Sequence, residues 1–296
     1  MQTTWQVTEY EHGLPILKAL ALRIPTAPTG FLRKSCSKER LRRETIILSA
    51  TTTVNAGDEL ALSVSRRMEE ILAQCPLLPG QILHEDRYAL VLDKPAGLAT
   101  HATGSREDNL QERLQDYLKA RGETYRVSPI HRLDRGTSGP LLFGKGKRAT
   151  GNLGKLFMRG AIDKEYLALV TGKPPLVGTL LSPVPSHGKF KPAEAHFRRL
   201  AQCGEFSLLQ LQLLTGRSHQ LRRQLAAVGC SILGDSRYGG KPWPGLAHPC
   251  LHCSSLTFTS LEDDAPRTVR SAIPAPLQAI LTETGLAIAA AECGQR

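Results

Sequence analysis

Between Phe206 and Gly229 the chain changes its hydrophobic period with no spacer. "FSLLQLQLLTG" sets Leu209, Leu211 and Leu213 alternately with Gln210 and Gln212. "SHQLRRQLAAVG" then puts Leu221, Leu225 and Val228 on one helical stripe, with Ser218 placed to cap the start and Gly229 to end it. Alternation in steps of two belongs to a strand with one buried face, and steps of three and four to a helix lying on a core. "YALVLDKPAGL" reads as an apolar strand stopped by a Lys-Pro-Ala-Gly turn, and "KEYLALVTG" as another strand. "QERLQDYLKARG" is helical, with Leu114, Tyr117 and Leu118 in register and Gly122 as its C-terminal cap. Strands and helices therefore mix without the regular βα alternation of a doubly wound fold. The pattern implies an α+β fold with a mixed, largely antiparallel central sheet.

The first 65 residues have a different character. "FLRKSCSKERLRRE" is dense in Lys and Arg, and "TTTVNAGDELALSV" comes after it with an Asn-Ala-Gly-Asp turn and alternating Leu60, Leu62 and Val64. A basic helix leading into a small sheet fits an RNA-binding module, and equally a solvated amphipathic helix beside a hairpin. A short helical stretch, "RRMEEILAQC", and a Pro/Gly-bearing "PLLPG" separate this region from the rest of the chain. The expected division is 1–70, a linker at 71–80, and a main domain at 81–290.

The 296 residues carry a net charge of +11. Such an excess suits a polyanion binder, because Lys and Arg release counterions from phosphates. Seven scattered cysteines do not make a disulfide framework and point to a reducing compartment. "MQTTWQVTEYEHG" lacks the basic start and apolar core of a secretory signal, and no run approaches a membrane span, so the expected location is cytoplasmic. Nothing demands more than a monomer.

Chemistry concentrates at "HRLDRGTSGPLLFGKG", where Asp134 stands between Arg132 and Arg135. Opposite charge nearby favours an ionised Asp, which can cap, ligate, pair or attack. The "GPLLFGKG" half fails as a phosphate loop, since Gly146 stands where Ser or Thr is needed and "PLLF" reads as a strand. "HPCLHC" has no second C-x-x-C pair for structural zinc; Cys253, Leu256 and Phe258 fit one face of a buried strand better. Ser138 and Ser218 lie near His131 and His219, but neither sits in a nucleophile elbow. In "TGRSHQLRRQLAAVG", Arg217, His219, Arg222 and Arg223 crowd a helix start, which itself attracts anions. Arg222 falls at the edge of the core, either as part of an ordinary basic helix end or as the partner of a carboxylate, with Asp134 the obvious candidate.

These segments together resemble the RluA-type pseudouridine synthases. "HRLDRGTSG" resembles that family's signature, "KEYLALV" its second motif, "TGRSHQLRRQLAAVGCSILGD" with "YGG" its third, "LHCSSLTF" its closing strand, and "LVLDKPAGL" its opening one. The resemblance runs over residues 80–275 in the expected order. It implies Asp134 as the essential carboxylate, Arg222 as its arginine partner, and Tyr166 as the active-site tyrosine. Arg132 corresponds to the residue implicated in base flipping, and Arg217, His219 and Thr137 are expected to bind substrate. No metal or organic cofactor is implied, and the expected partner is structured ribosomal or transfer RNA. The N-terminal region has a faint likeness to an S4 domain through "TVNAGDELAL" and is expected to be a degenerate one. Where the third motif commonly continues Arg-Val-His, this chain has Arg222-Arg223-Gln224, expected to tune the helix surface. A non-catalytic RNA-binding protein on the same fold is the alternative; the intact Asp134, Tyr166 and Arg222 set argues against it.

Overall fold

The computed structural model describes residues 2–7, 11–23, 29–63, 81–102, 108–121, 123–186 and 189–286. The stretch "RRMEEILAQC", the linker "PLLPG", and Val64 and Gly122 lie outside the described residues. The chain divides into two compact units: residues 1–82 with 111–126, and residues 83–110 with 127–296.

In the first unit, α1 (Ile16–Arg23) and α2 (Thr29–Ser37) accompany a four-stranded sheet. The sheet comprises β1 (Gln2–Gln6), β2 (Leu41–Arg43), β3 (Ile46–Ile47) and β4 (Glu59–Ser63), in the order β1-β4-β2-β3. The Asn-Ala-Gly-Asp turn forms: the Asp58 N–H donates to the Asn55 carbonyl at 3.0 Å, and the Asp58 carboxylate accepts from the Asn55 N–H and from Arg43. Leu60 and Leu62 are buried as their alternation requires, in one core with Ile16, Leu20, Leu32 and Cys36. Helix α3 (Leu110–Ala120) buries Leu114, Tyr117 and Leu118 completely.

The second unit contains two antiparallel sheets. One has the order β5-β6-β8-β7, from β5 (Ile82–Glu85), β6 (Ala89–Lys94), β7 (Val127–Pro129) and β8 (Gly139–Lys145). The other has six strands: β9 (Ile162–Thr171), β10 (Val177–Leu181), β13 (Glu194–Cys203), β14 (Phe206–Leu213), β15 (Leu251–Thr259) and β16 (Pro266–Arg270). Their order is β10-β13-β14-β9-β15-β16. A hairpin of β11 (Val184–Ser186) and β12 (Lys189–Lys191) interrupts the chain between β10 and β13. Helix α4 (Gly146–Met158) packs Leu153 into a core with Val91, Leu142, Leu256 and Phe258. "PLLF" is thus the buried middle of β8, and Cys253, Leu256 and Phe258 are the buried face of β15.

The two sheets of this unit meet where β8 leaves the Asp134 turn. Ser138 and His252 form a parallel bridge, and the Cys253 N–H donates to the Ser138 carbonyl at 2.8 Å. Gly139 sits at φ +118°, and a Cβ there would lie 2.0 Å from the Cys253 carbonyl oxygen. The small Thr-Ser-Gly after Asp134 is therefore a backbone crossing that only glycine permits.

Helix α5 (Gln220–Ala227) corrects three expectations. Ser218 does not cap it: His219 is the N-cap, with no side-chain cap bond. The buried Gln220 side chain anchors the start instead, accepting from the Arg217 N–H at 3.0 Å and donating to the Glu194 carbonyl at 3.0 Å. Val228 is 57% exposed; the core stripe is Leu221, Leu225 and Gln224. Gln224 is no surface residue: its amide donates to the carbonyls of Leu180 and Ala193 at 3.1 and 2.9 Å, stitching the helix to the sheet edge. Gly229, at φ +72°, ends the helix as expected.

Candidate active site

Asp134 lies in a turn held from below. The Thr137 N–H donates to the Asp134 carbonyl at 2.9 Å, and the Thr100 hydroxyl donates to the Leu133 carbonyl at 3.0 Å. Lys94, fully buried, donates to the carbonyls of Pro95, Leu98 and Arg135 at 2.9, 2.8 and 3.2 Å. Burial pulls the Lys94 ammonium down to about 7, while the Asp134 charge draws it up and Arg135 draws it down. The Arg135 side chain donates to the Gly97 carbonyl at 2.9 Å, which directs it at backbone. Arg132 is exposed and lines the cleft above Asp134.

The seven residues singled out in the sequence, Arg132, Asp134, Thr137, Tyr166, Arg217, His219 and Arg222, line one cleft of about 600 Å³ counting its open mouth. Thr137 is only 3% exposed, so it contributes its turn to the cleft wall rather than a free hydroxyl. Arg217 buries its Nε without a hydrogen-bond partner among the described residues. Such a donor suits an acceptor brought by a ligand.

The expected Arg222–Asp134 pair is not what the structure forms. Arg222 grips Asp235 through two bonds of 2.6 Å, with Asp235 1% exposed. The fork geometry of guanidinium and carboxylate makes this bidentate pair the strong one. Asp134 is left with His219, whose Nε2 lies 3.8 Å from its Oδ1. Its carboxylate makes no hydrogen bond among the described residues.

Tyr166 sits on β9 directly opposite Cys253 in the sheet register. Burial, with the neighbouring Cys253 and Asp134, pushes its hydroxyl well above the ordinary tyrosine value, so the ring faces the cleft as a neutral phenol. Lys164, two residues earlier and so on the same face of β9, also lines the cleft; sequence reasoning missed it. Its ammonium is 5.2 Å from the Phe157 ring centre, and burial lowers its pKa.

His131 is not a free base. Its Nε2 accepts the Leu142 N–H at 3.2 Å, its ring stacks on Phe157, and burial pushes its pKa well down. Ser138 pairs with His252 at 2.9 Å, but both are buried away from the cleft. Among the described residues no three His, Cys, Asp or Glu side chains gather as a metal site, and no helix is long and apolar enough to cross a membrane.

Comparison with known proteins agrees with this architecture. A family model described as RNA pseudouridylate synthase matches residues 88–227. Ribosomal large subunit pseudouridine synthase D of Nitrosomonas europaea is 27% identical over 288 residues, covering 91% of this chain and 84% of the relative. Ribosomal large subunit pseudouridine synthase C of Escherichia coli K12 is 29% identical over 281 residues, covering 86% and 87%. The structure of human RNA pseudouridylate synthase domain containing 4 shares the fold, with a TM-score of 0.62 at 23% identity over 75% of this chain and 98% of that one. Over residues 88–227 the chain is similar to RNA pseudouridylate synthases, and it shares the fold of a solved member of that group.

Proposed function

We propose that this chain converts specific uridines of ribosomal RNA to pseudouridine, with Asp134 as the essential carboxylate. The observation that carries the reading is the Asp134 carboxylate itself. It stands in a cleft among Arg217, His219 and Arg222, with no hydrogen bond of its own among the described residues. A carboxylate so placed is available to a substrate. Ribosomal RNA is favoured over transfer RNA because both relatives above are named for the large ribosomal subunit.

The isomerisation breaks the N1–C1′ bond, turns the uracil, and joins C5 to C1′; the proton on C5 leaves and N1 gains one. Asp134 supplies the carboxylate that acts on the sugar or the base. Tyr166 offers a ring against which the base is held and a phenol that donates a hydrogen bond. The base must leave its stack to reach this cleft, and the exposed Arg132 is placed to fill the gap. The second unit carries the chemistry. The first is a degenerate S4-like module that adds affinity through the exposed Arg33, Lys34 and Lys38 of the α2 end.

The test is tritium release from ribosomal RNA labelled at uridine C5, taken from cells lacking the protein. Wild type releases tritium, and Asp134→Asn releases it at least roughly 10³-fold more slowly while still binding the RNA. RNA binding without release by wild type would favour the non-catalytic alternative.

A further inference from the structure

We propose that Tyr238 is a positioning residue: its hydroxyl fixes the tautomer of His219 so that the imidazole Nε2–H faces the Asp134 carboxylate. This rests on the reading of Asp134 as the reacting group. The Tyr238 hydroxyl oxygen lies 2.9 Å from His219 Nδ1, and the opposite ring nitrogen, Nε2, lies 3.8 Å from Asp134 Oδ1. The second distance is within ion-pair reach and longer than a hydrogen bond, as is common before substrate closes a site.

A neutral imidazole has one donor and one acceptor, so a phenol donating to Nδ1 leaves the proton on Nε2. The other tautomer would turn a lone pair toward the carboxylate. Burial, with the guanidiniums of Arg222, Arg237 and Arg223, holds the His219 pKa below its usual value against the opposing pull of Asp134. A neutral ring that closes to hydrogen-bond distance when substrate binds orients the carboxylate without cancelling its charge, as an imidazolium would.

The surroundings hold both partners in this pose. His219 takes φ +53°, a left-handed conformation costly for any side chain but glycine, and this places its ring between Tyr238 and Asp134. Tyr238 is fixed in turn. The guanidinium carbons of Arg222, Arg223 and Arg237 stand 5.0, 5.5 and 5.8 Å from its ring centre. The Ser231 hydroxyl donates to its carbonyl at 2.9 Å. The ring satisfies the arginines; the hydroxyl serves His219.

Tyr238→Phe separates these two roles, since it keeps the ring and removes only the hydroxyl. The expected result is a kcat lower by roughly 10- to 100-fold with KM for RNA within about twofold. The acid limb of the kcat–pH profile moves to higher pH, because without the donor at Nδ1 the imidazole protonates more readily. His219→Gln, which keeps a donor and an acceptor, recovers part of the activity that His219→Ala loses. A Tyr238→Phe enzyme with wild-type kcat and an unmoved acid limb would overturn the proposal. Nitrogen-15 NMR of the His219 ring in the RNA-free protein decides the tautomer independently of turnover. Nε2–H in wild type supports the proposal and Nδ1–H sinks it, even if wild type releases no tritium and the Asp134 reading fails.

Discussion

Asp134 stands between two arginines in sequence, and in space neither holds it. Arg135 turns to the Gly97 carbonyl, Arg132 faces solvent, and Arg222 is claimed by Asp235. Proximity in sequence misleads here because side chains one residue apart around a turn point in different directions, whereas a bidentate pair needs two planar groups face to face. The Arg222–Asp235 pair then has a measurable consequence. Asp235→Ala leaves a mostly buried guanidinium without its partner and should cost about 3 kcal/mol in urea unfolding. Arg222, once released, still feels the Asp134 charge, so tritium release should fall along with stability. An Asp235→Ala protein as stable as wild type would show that the pair contributes nothing to folding.

Two elements, β8 and β15, decide where Asp134 is presented. Their crossing depends on Gly139 and on Ser138–His252, a buried hydrogen bond joining two sheets. His252 is shifted down to about 4 by burial, against the opposing hydrogen bond to the Ser271 carbonyl. A folded-state value below the unfolded one means that, between about 6.5 and 4, the unfolded chain takes up a proton that the native His252 refuses. Stability is therefore lost as pH falls through that window, by about 2 kcal/mol between pH 7 and 5 from this group. His131, also pushed down by burial, acts in the same direction. Thermal unfolding of wild type against His252→Gln over that range checks this: the variant should show the shallower pH dependence. At α5, the apolar stripe was legible for Leu221 and Leu225 and failed at Val228. Gln224 turned inward instead, where its amide donates to the carbonyls of Leu180 and Ala193. A helical wheel cannot see acceptors offered by a distant strand.

For the whole molecule the dominant quantity is the net charge of +11. Arg33, Lys34 and Lys38 are exposed at and beside α2, while Leu32 and Cys36 on its other side are buried in the first unit's core. Each cation that meets a phosphate contributes about 0.7 to 0.9 to the slope of log affinity against log salt. Replacing Arg33, Lys34 and Lys38 by Ala should lower that slope by about 2 and weaken binding across RNA sequences, with kcat at saturation unchanged. An unaltered slope would remove α2 from the RNA-binding surface.

The sequence by itself determined the α+β class, the strands of the six-stranded sheet around Tyr166 and Leu211, and the identity of seven cleft residues. Those come from short-range periods and from ordered motifs, which survive in one dimension. It also placed "PLLF" and the Cys253 segment in buried strands, because their apolar residues fit a strand. Only the tertiary structure decided which groups pair. Arg222 pairs with Asp235 and His219 with Tyr238, across the length of α5, and Asp134 meets His219 from a turn 85 residues before it. Hydrogen-bond partnership depends on angles and on distances of a few tenths of an ångström. Sequence spacing carries no such information once the chain has folded back on itself.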